Sequence, residues 1–130
     1  MKRTYSRMAA ALFVALLASP TAAQSGYKDG NELYAQLQAG KRMTPSTTDP
    51  QQFGDAMYGT GYVMGVVDGL NGVTSSSSEL SKFCIPDGVA VKQLTDVTFL
   101  FLEKYPERRH FPAAWIVALA LSEKFPCAKK

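Results

Sequence analysis

Residues 112–127, PAAWIVALALSEKFPC, are the part of the chain that decides its fold. Pro112 can open a helix because the first helical position needs no backbone N–H donor. The residues from there to Leu121 include no polar side chain, and a helix that is apolar on all sides is buried or shared with a partner. About ten apolar residues are too few to span a bilayer, which takes roughly twenty. The stretch therefore predicts a buried helix that ends near Cys127.

Cys127 can pair with only one other cysteine of the chain, Cys84. Residues 1–23 predict export, and exported proteins keep their cysteines oxidised. The pair would close a loop of about 44 residues, for which the chain-entropy model gives on the order of 4 kcal/mol. A zinc site is the alternative, but His110 is the single histidine and the ligands are too few. We therefore predict a disulfide that joins the end of the last helix to the start of the preceding one.

Residues 1–23 have the three parts of a secretory signal peptide. Three basic residues precede an uncharged apolar stretch of eleven residues, 8–18, and small residues follow up to Ala23. A permanent membrane anchor is the weaker interpretation, because a span takes roughly twenty residues. We expect cleavage after Ala23, release into the periplasm, and a mature single domain of residues 24–130.

Removal of the signal peptide changes the charge of the protein. Lys2, Arg3 and Arg7 are three of the 14 basic residues, and all 11 acidic residues lie beyond the cut. The formal charge of +3 therefore falls to zero in the mature chain. Overall charge then gives no argument for binding to nucleic acid or to an anionic membrane, and we expect neither partner.

The mature chain predicts three helices before the last one. Asp49-Pro50 is a helix start, because the aspartate can cap free backbone N–H groups and proline suits the first position. Residues 97–102 also fit a β-strand by composition, but the helical pattern continues on both sides of them. The expected fold is all-α, a small bundle of about four main helices with one disulfide. The predicted ranges are a loose arm at 24–30, then helices at 31–39, with Asn31 as the N-cap, at 50–70 and at 89–104.

Gly61, Gly65 and Gly69 recur every four residues and form a smooth stripe along the second helix. Each glycine costs about 1 kcal/mol relative to alanine inside a helix, so the stripe suggests a neighbour that must come close. The first interpretation is tight helix packing within the chain. The second is a dimer interface built on the same stripe.

No group of residues has the composition of a catalytic site. A proline separates Glu103 from Glu107, and His110 has no acidic or thiol partner nearby in the sequence. The four serines at 75–78 lack the Gly-x-Ser-x-Gly surroundings of a hydrolase nucleophile. Asp68 lies in an apolar, glycine-rich stretch, where a buried carboxylate would need hydrogen-bond partners. We therefore expect no enzymatic activity, no metal site and no cofactor.

The order of several short motifs resembles a known family. The chain is similar to the periplasmic immunity proteins of the Rap/Tai kind, which neutralise peptidoglycan amidase toxins delivered by type VI secretion. The similarity runs from about residue 31 to residue 127. The motifs that carry it are GYVMGVVD at 61–68, FCIPDGV at 83–89, Gln93-Leu94, LEKYPE at 102–107, and the segment 113–127 that ends in Phe-Pro-Cys.

The resemblance implies a compact helical bundle, often dimeric, that inserts a surface element into the amidase cleft and blocks it without chemistry. Cys84 and Cys127 then correspond to the structural disulfide of the family. Many relatives have further cysteines near the first helix and the start of the glycine-rich helix. Other residues occupy that neighbourhood here, so a second bridge is not expected; they are Leu37, Gln38, Ala56 and Met57.

Two segments are candidates for the inhibitory contact with an amidase effector. The first is a serine-rich surface loop, although a mobile loop loses entropy when it binds. The second is the charged corner between the last two helices. The candidate residues are Ser75, Ser76, Ser77, Ser78, Glu79 and Lys82 in the loop, and Glu107, Arg108, Arg109 and His110 at the corner.

Two other functions fit the same sequence. A periplasmic stress or acid chaperone would loosen in acid and expose its apolar helices, but one histidine gives it no sharp trigger near neutral pH. A structural subunit of the envelope could use the glycine stripe for assembly. Immunity remains the first prediction.

Overall fold

The computed structural model describes residues 28–73 and 83–128, with side chains up to Asn71 in the first range. The predicted signal peptide and serine-rich loop lie outside these ranges. Within them the chain forms four helices, isolated β-bridges and no strand, so the predicted all-α class is confirmed. The elements are α1 (Gly30–Lys41), α2 (Pro50–Val73), α3 (Val91–Lys104), a short 3-10 turn (Pro106–Arg108) and α4 (Ala113–Lys124).

The first two helices begin at aspartate caps. The Asp29 side chain accepts a hydrogen bond from the backbone N–H of Glu32 at 2.9 Å, so the N-cap of α1 is Asp29, two residues before the predicted Asn31. The predicted start of α2 is confirmed, because Asp49 accepts from the backbone N–H of Gln51 at 2.9 Å. Each cap satisfies an N–H group that the helix itself leaves without a partner.

The other helix boundaries differ slightly from the prediction. Asn71-Gly72 does not end α2, which continues to Val73. α3 begins at Val91 rather than at residue 89, because the Gln93 side chain accepts from the backbone N–H of Ala90 at 2.8 Å and fixes the first turn there. Residues 97–102 lie inside α3, so the strand alternative is wrong.

The core lies where the four helices meet and contains apolar side chains from each of them. Burying one Val, Leu, Ile or Phe side chain stabilises the fold by about 1.5–3 kcal/mol. Thr98 is the buried polar residue among them, and its hydroxyl donates to the Leu94 carbonyl at 3.0 Å. The largest fully buried apolar side chains are Leu33, Leu102, Ile116, Leu121, Val63 and Val117.

The disulfide between Cys84 and Cys127 is confirmed. Beside it, the Cys84 backbone N–H donates to the Phe125 carbonyl at 2.8 Å, and Phe83 forms an antiparallel bridge with Pro126. The end of α4 is therefore held against the segment that leads into α3, by backbone contacts as well as by the covalent bond. In the described part of the chain, no helix is long and apolar enough to cross a membrane.

The glycine stripe does not mediate tight packing between described helices. A Cβ atom added at Gly61, Gly65 or Gly69 would meet no described atom within 4 Å, and all three residues are exposed. The close approach of α1 and α2 occurs at Gly59 instead, where a Cβ would lie 3.0 Å from the Gln36 Cβ. Among the described residues, the stripe therefore has no close neighbour. A four-residue spacing identifies one helical face but not which face is covered.

The last helix is not buried on all sides. Its apolar residues at 113, 116, 117, 120 and 121 face the core, whereas Ala114 and Trp115 are exposed. Those five positions have the spacing of one helical face, and the second and third positions of α4 lie beside it. The unbroken apolar run therefore did not indicate that the tryptophan in the first turn is exposed.

Candidate partner-binding surface

The corner between α3 and α4 is joined to the start of α1 by backbone hydrogen bonds. The Gly30 N–H donates to the Phe111 carbonyl at 3.0 Å, and the Ala113 N–H donates to the Lys28 carbonyl at 2.8 Å. The Asn31 side chain also donates to the Arg109 carbonyl at 3.3 Å. These contacts link two segments that are about 80 residues apart in the sequence, and they give the corner a defined backbone conformation.

The two arginines of the corner point towards the protein. The Arg109 guanidinium lies 3.6 Å from the centre of the Tyr34 ring, and its Nε donates to the Leu102 carbonyl at 2.8 Å. The Arg108 guanidinium lies 4.6 Å from the centre of the Tyr105 ring. Guanidinium groups stack favourably on aromatic faces. Both arginines are half-buried, so they support the corner more than they project from it.

Four exposed side chains form what we call the corner surface: Glu107, His110, Phe111 and Trp115. The His110 and Phe111 rings are 4.2 Å apart between centroids, and the Phe111 and Trp115 rings are 5.0 Å apart with an edge-to-face geometry. Trp115 is 40 % exposed. Exposed aromatic rings that contact one another are typical of a protein-recognition surface.

The sequence predicted part of this surface. Glu107 and His110 lie where a contact with a partner was expected, whereas Arg108 and Arg109 are committed to the neighbouring rings. Phe111 and Trp115 were missed. The signal that could have found Trp115 is the apolar spacing of α4, which leaves it outside the core face.

A second exposed apolar surface lies on the first half of α2. We call it the α2 groove, a hollow of about 450 Å³. Tyr58 is 72 % exposed there. The pKa of Tyr62 is raised, because the effect of burial exceeds the lowering effect of a hydrogen bond with the Ala114 backbone. The groove is lined by Lys28, Phe53, Gly54, Met57, Tyr58, Gly61 and Tyr62.

The carboxylates singled out from the sequence do not form a catalytic group. Asp68, Glu103 and Glu107 are all exposed, so the expected need of Asp68 for buried partners does not arise. Among the described residues, no cluster of three or more His, Cys, Asp or Glu side chains could hold a metal ion.

Asp96 accepts hydrogen bonds from two lysines on the surface of α1 and α3. Lys41 Nζ lies 2.6 Å from Oδ1 and Lys92 Nζ lies 2.8 Å from Oδ2. Burial alone would raise the pKa of Asp96, but the hydrogen bonds and positive charges of the two lysines outweigh it and lower the pKa below 3.8. The interaction joins α3 to the end of α1.

The variant Asp96→Asn is expected to be slightly less stable than the wild type at pH 7, by less than ~1 kcal/mol, because the pair is partly exposed. A carboxylate with a lowered pKa in the folded state stabilises the protein above its ordinary pKa and loses that contribution as pH falls through the folded value. Urea unfolding from pH 7 to pH 2 should therefore show the two proteins converging in acid. A difference that grew as the pH fell would contradict the interaction.

The family comparison agrees with the resemblance noted in the sequence. No curated protein sequence gives a significant match to the chain. The profile of the Rap1a immunity proteins, in contrast, matches residues 29–127, which include all four helices, the disulfide and the corner surface. The chain therefore belongs to the Rap1a immunity protein family.

Proposed function

We propose that this protein is exported to the periplasm, where it binds a peptidoglycan amidase effector of type VI secretion and blocks its active-site cleft. Membership of an immunity protein family implies a protein effector as the partner. The observation that carries the finer proposal is the corner surface, which combines exposed aromatic rings with a carboxylate on a well-anchored backbone. Inhibition would need no chemistry, only occupation of the cleft.

The anchoring of the corner favours it over a loop as the inhibitory element. A segment that is already held in one conformation loses little entropy on binding. Here the arginines and the backbone bonds to α1 supply that order, while the rings of Phe111 and Trp115 remain accessible. Aromatic residues of this kind contribute a large share of the binding energy at protein interfaces.

The variant Trp115→Ala is expected to weaken binding to the cognate amidase about 30-fold, the loss typical of an interface hot spot of ~2 kcal/mol. The matched control is Leu100→Ala, which removes an apolar side chain that is 58 % exposed on α3. Calorimetric titration against each amidase encoded by the same bacterium measures both variants. Equal losses, or none, would reject the corner as the inhibitory surface.

The same titration should be paired with a protection assay in cells. Periplasmic expression of the wild type should prevent lysis by the co-expressed amidase, and Trp115→Ala should protect less well. Mass spectrometry of the periplasmic protein should show a chain that begins at Gln24. If every amidase lysed cells equally with and without the protein, the immunity proposal would be rejected.

We further propose that two copies associate through the exposed face of α2. This face has exposed glycines, which permit a close approach, next to the exposed side chains of Phe53, Met57 and Tyr58. The variant Gly61→Leu should shift the protein from dimer to monomer in sedimentation experiments, because the added side chain fills the contact. Ala35→Leu, at an exposed position of α1, is the control and should not change the mass. A wild type that sediments as a monomer at all concentrations would contradict the dimer.

The chaperone alternative has one observation in its favour, the exposed apolar α2 groove. It predicts that the protein suppresses aggregation of unrelated unfolded proteins in acid. The immunity proposal predicts a stoichiometric complex with one amidase at neutral pH. The two outcomes are therefore separable with the same purified protein.

A further inference from the structure

A cavity of about 310 Å³ lies between α1, α2 and α3, on another side of Met57 from the α2 groove. We call it the three-helix cavity. Its innermost walls are apolar, because Leu37, Ala56 and Phe99 are almost fully buried. Its outer walls are also mainly apolar and are formed by Met43, Met57, Thr60, Val91 and Thr95.

The mouth of this cavity is defined by charged side chains that remain partly exposed, the Lys41–Asp96–Lys92 cluster. Lys41 Nζ also lies 5.3 Å from the centre of the Phe99 ring, so its ammonium group reaches the apolar wall. Two ammonium groups and one carboxylate leave a net positive charge. Each ammonium has three N–H donors, and Asp96 takes one from each, so donors remain for an anion. The Lys92 side chain is 78 % exposed and can turn towards a ligand. The start of α3 and the end of α1 both face the mouth, and their helix dipoles have opposite signs and offset each other.

We propose that the three-helix cavity binds a medium-chain fatty acid anion, with its chain in the apolar interior and its carboxylate at Lys41 and Lys92. A methylene group fills about the same ~30 Å³ as a water molecule in the liquid, so the cavity has room for about ten carbons. Cavities that bind small ligands begin at about this size and have mostly apolar walls with a few polar groups that fix orientation. The charged groups here are two ammonium groups and one carboxylate, and their net positive charge favours an anionic head.

Volume and position, not charge, distinguish this cavity from another groove that also carries two lysines and one carboxylate. The groove between α3 and α4 has a volume of about 220 Å³ and is lined by Lys104, Lys124 and Glu123. It is smaller, and its lysines lie at the opposite end of α3 from Lys92. It therefore provides a matched control for charge removal elsewhere on the protein.

The test is a calorimetric titration of the purified protein with decanoate, below the concentration at which decanoate aggregates. We expect saturable binding at one site. The double variant Lys41→Gln/Lys92→Gln should weaken it about tenfold or more, because charge-assisted hydrogen bonds to the head are lost. Thr60→Leu, which fills the cavity and keeps both lysines, should also weaken binding. Lys104→Gln/Lys124→Gln should bind decanoate like the wild type.

Decyltrimethylammonium has a chain of the same length and a cationic head, and it should not bind at this site. Four results would overturn the proposal. Two concern the wild type: no saturable binding of decanoate, or equal binding of the two head groups. The other two concern the variants: decanoate binding that neither Lys41→Gln/Lys92→Gln nor Thr60→Leu weakens, or binding that is lost in Lys104→Gln/Lys124→Gln. Circular dichroism of each variant would check that it is folded. None of these outcomes depends on an amidase, so failure of the fatty acid proposal can be distinguished from failure of the immunity proposal.

Discussion

Replacing Cys84 and Cys127 together with serine is expected to lower the free energy of unfolding by about 4 kcal/mol. The disulfide closes a long loop, with a sequence separation of 43, and so removes many conformations from the unfolded chain. Serine fits both positions, because Cys84 is exposed and Cys127 is only half-buried. For a domain of this size the loss corresponds to a fall of roughly 15–30 °C in Tm. This loss is a large share of the free energy of unfolding of a typical domain, which is about 5–15 kcal/mol.

Urea unfolding of the wild type and of the double variant, each with and without a reducing agent, measures this effect. The wild type under reducing conditions should approach the stability of the variant, whereas the variant itself should not respond to the reductant. If the two proteins unfolded at the same urea concentration under oxidising conditions, the backbone contacts of Cys84 and Phe83 alone would hold the end of α4. The disulfide would then have little effect on stability.

Gly30→Ala is expected to destabilise the protein by about 1–3 kcal/mol, the usual range for forcing an extra group into a packed site. A Cβ at Gly30 would overlap Cδ1 of Ile116 and lie 2.8 Å from the Arg109 carbonyl oxygen. Ile116 is fully buried and the Arg109 oxygen belongs to the backbone, so neither can move freely. The same change should weaken binding at the corner surface, because it pushes against the backbone that supports it.

Gly61→Ala is the matched control for this prediction. It is the same substitution within a helix, at a position where no described atom lies within 4 Å of the new Cβ. Thermal unfolding should therefore show that Gly30→Ala is less stable than the wild type. Gly61→Ala should be no less stable than the monomeric wild type. Adding Ile116→Val, which removes Cδ1, should recover part of the loss caused by Gly30→Ala. Equal stability of the two alanine variants would contradict the close packing at Gly30.

Local signals in the sequence were enough to predict the helices and the disulfide. Asp49-Pro50 defines a helix start by its own chemistry, and the two cysteines of a chain with a predicted signal peptide allow one pairing. The order of the short motifs was also enough for the family. These features depend on residues that are close in sequence or on counts, so they do not require knowledge of the packing.

Most of the features that were missed depend on contacts between distant segments. No local sequence signal marks Gly30 or Gly59 as closely packed, and only the structure reveals what approaches them. Arg108 and Arg109 looked like exposed charges, but the rings of Tyr105 and Tyr34 lie where the guanidiniums can stack. For Gly30, Gly59 and Arg109 the deciding neighbour comes from another element of the fold, whereas Tyr105 lies only three residues before Arg108.

The position of α4 in the chain has a consequence for how the protein is made. α4 follows the other three helices, yet its side chains lie in the core that all of them share. During synthesis Leu33, Val63 and Leu94 are therefore without the buried surface of α4 until the ribosome has added it, and Cys84 is without its disulfide partner. We expect the nascent chain to stay loosely structured until then. The proposed export would require this state, because a translocation channel admits an unfolded chain.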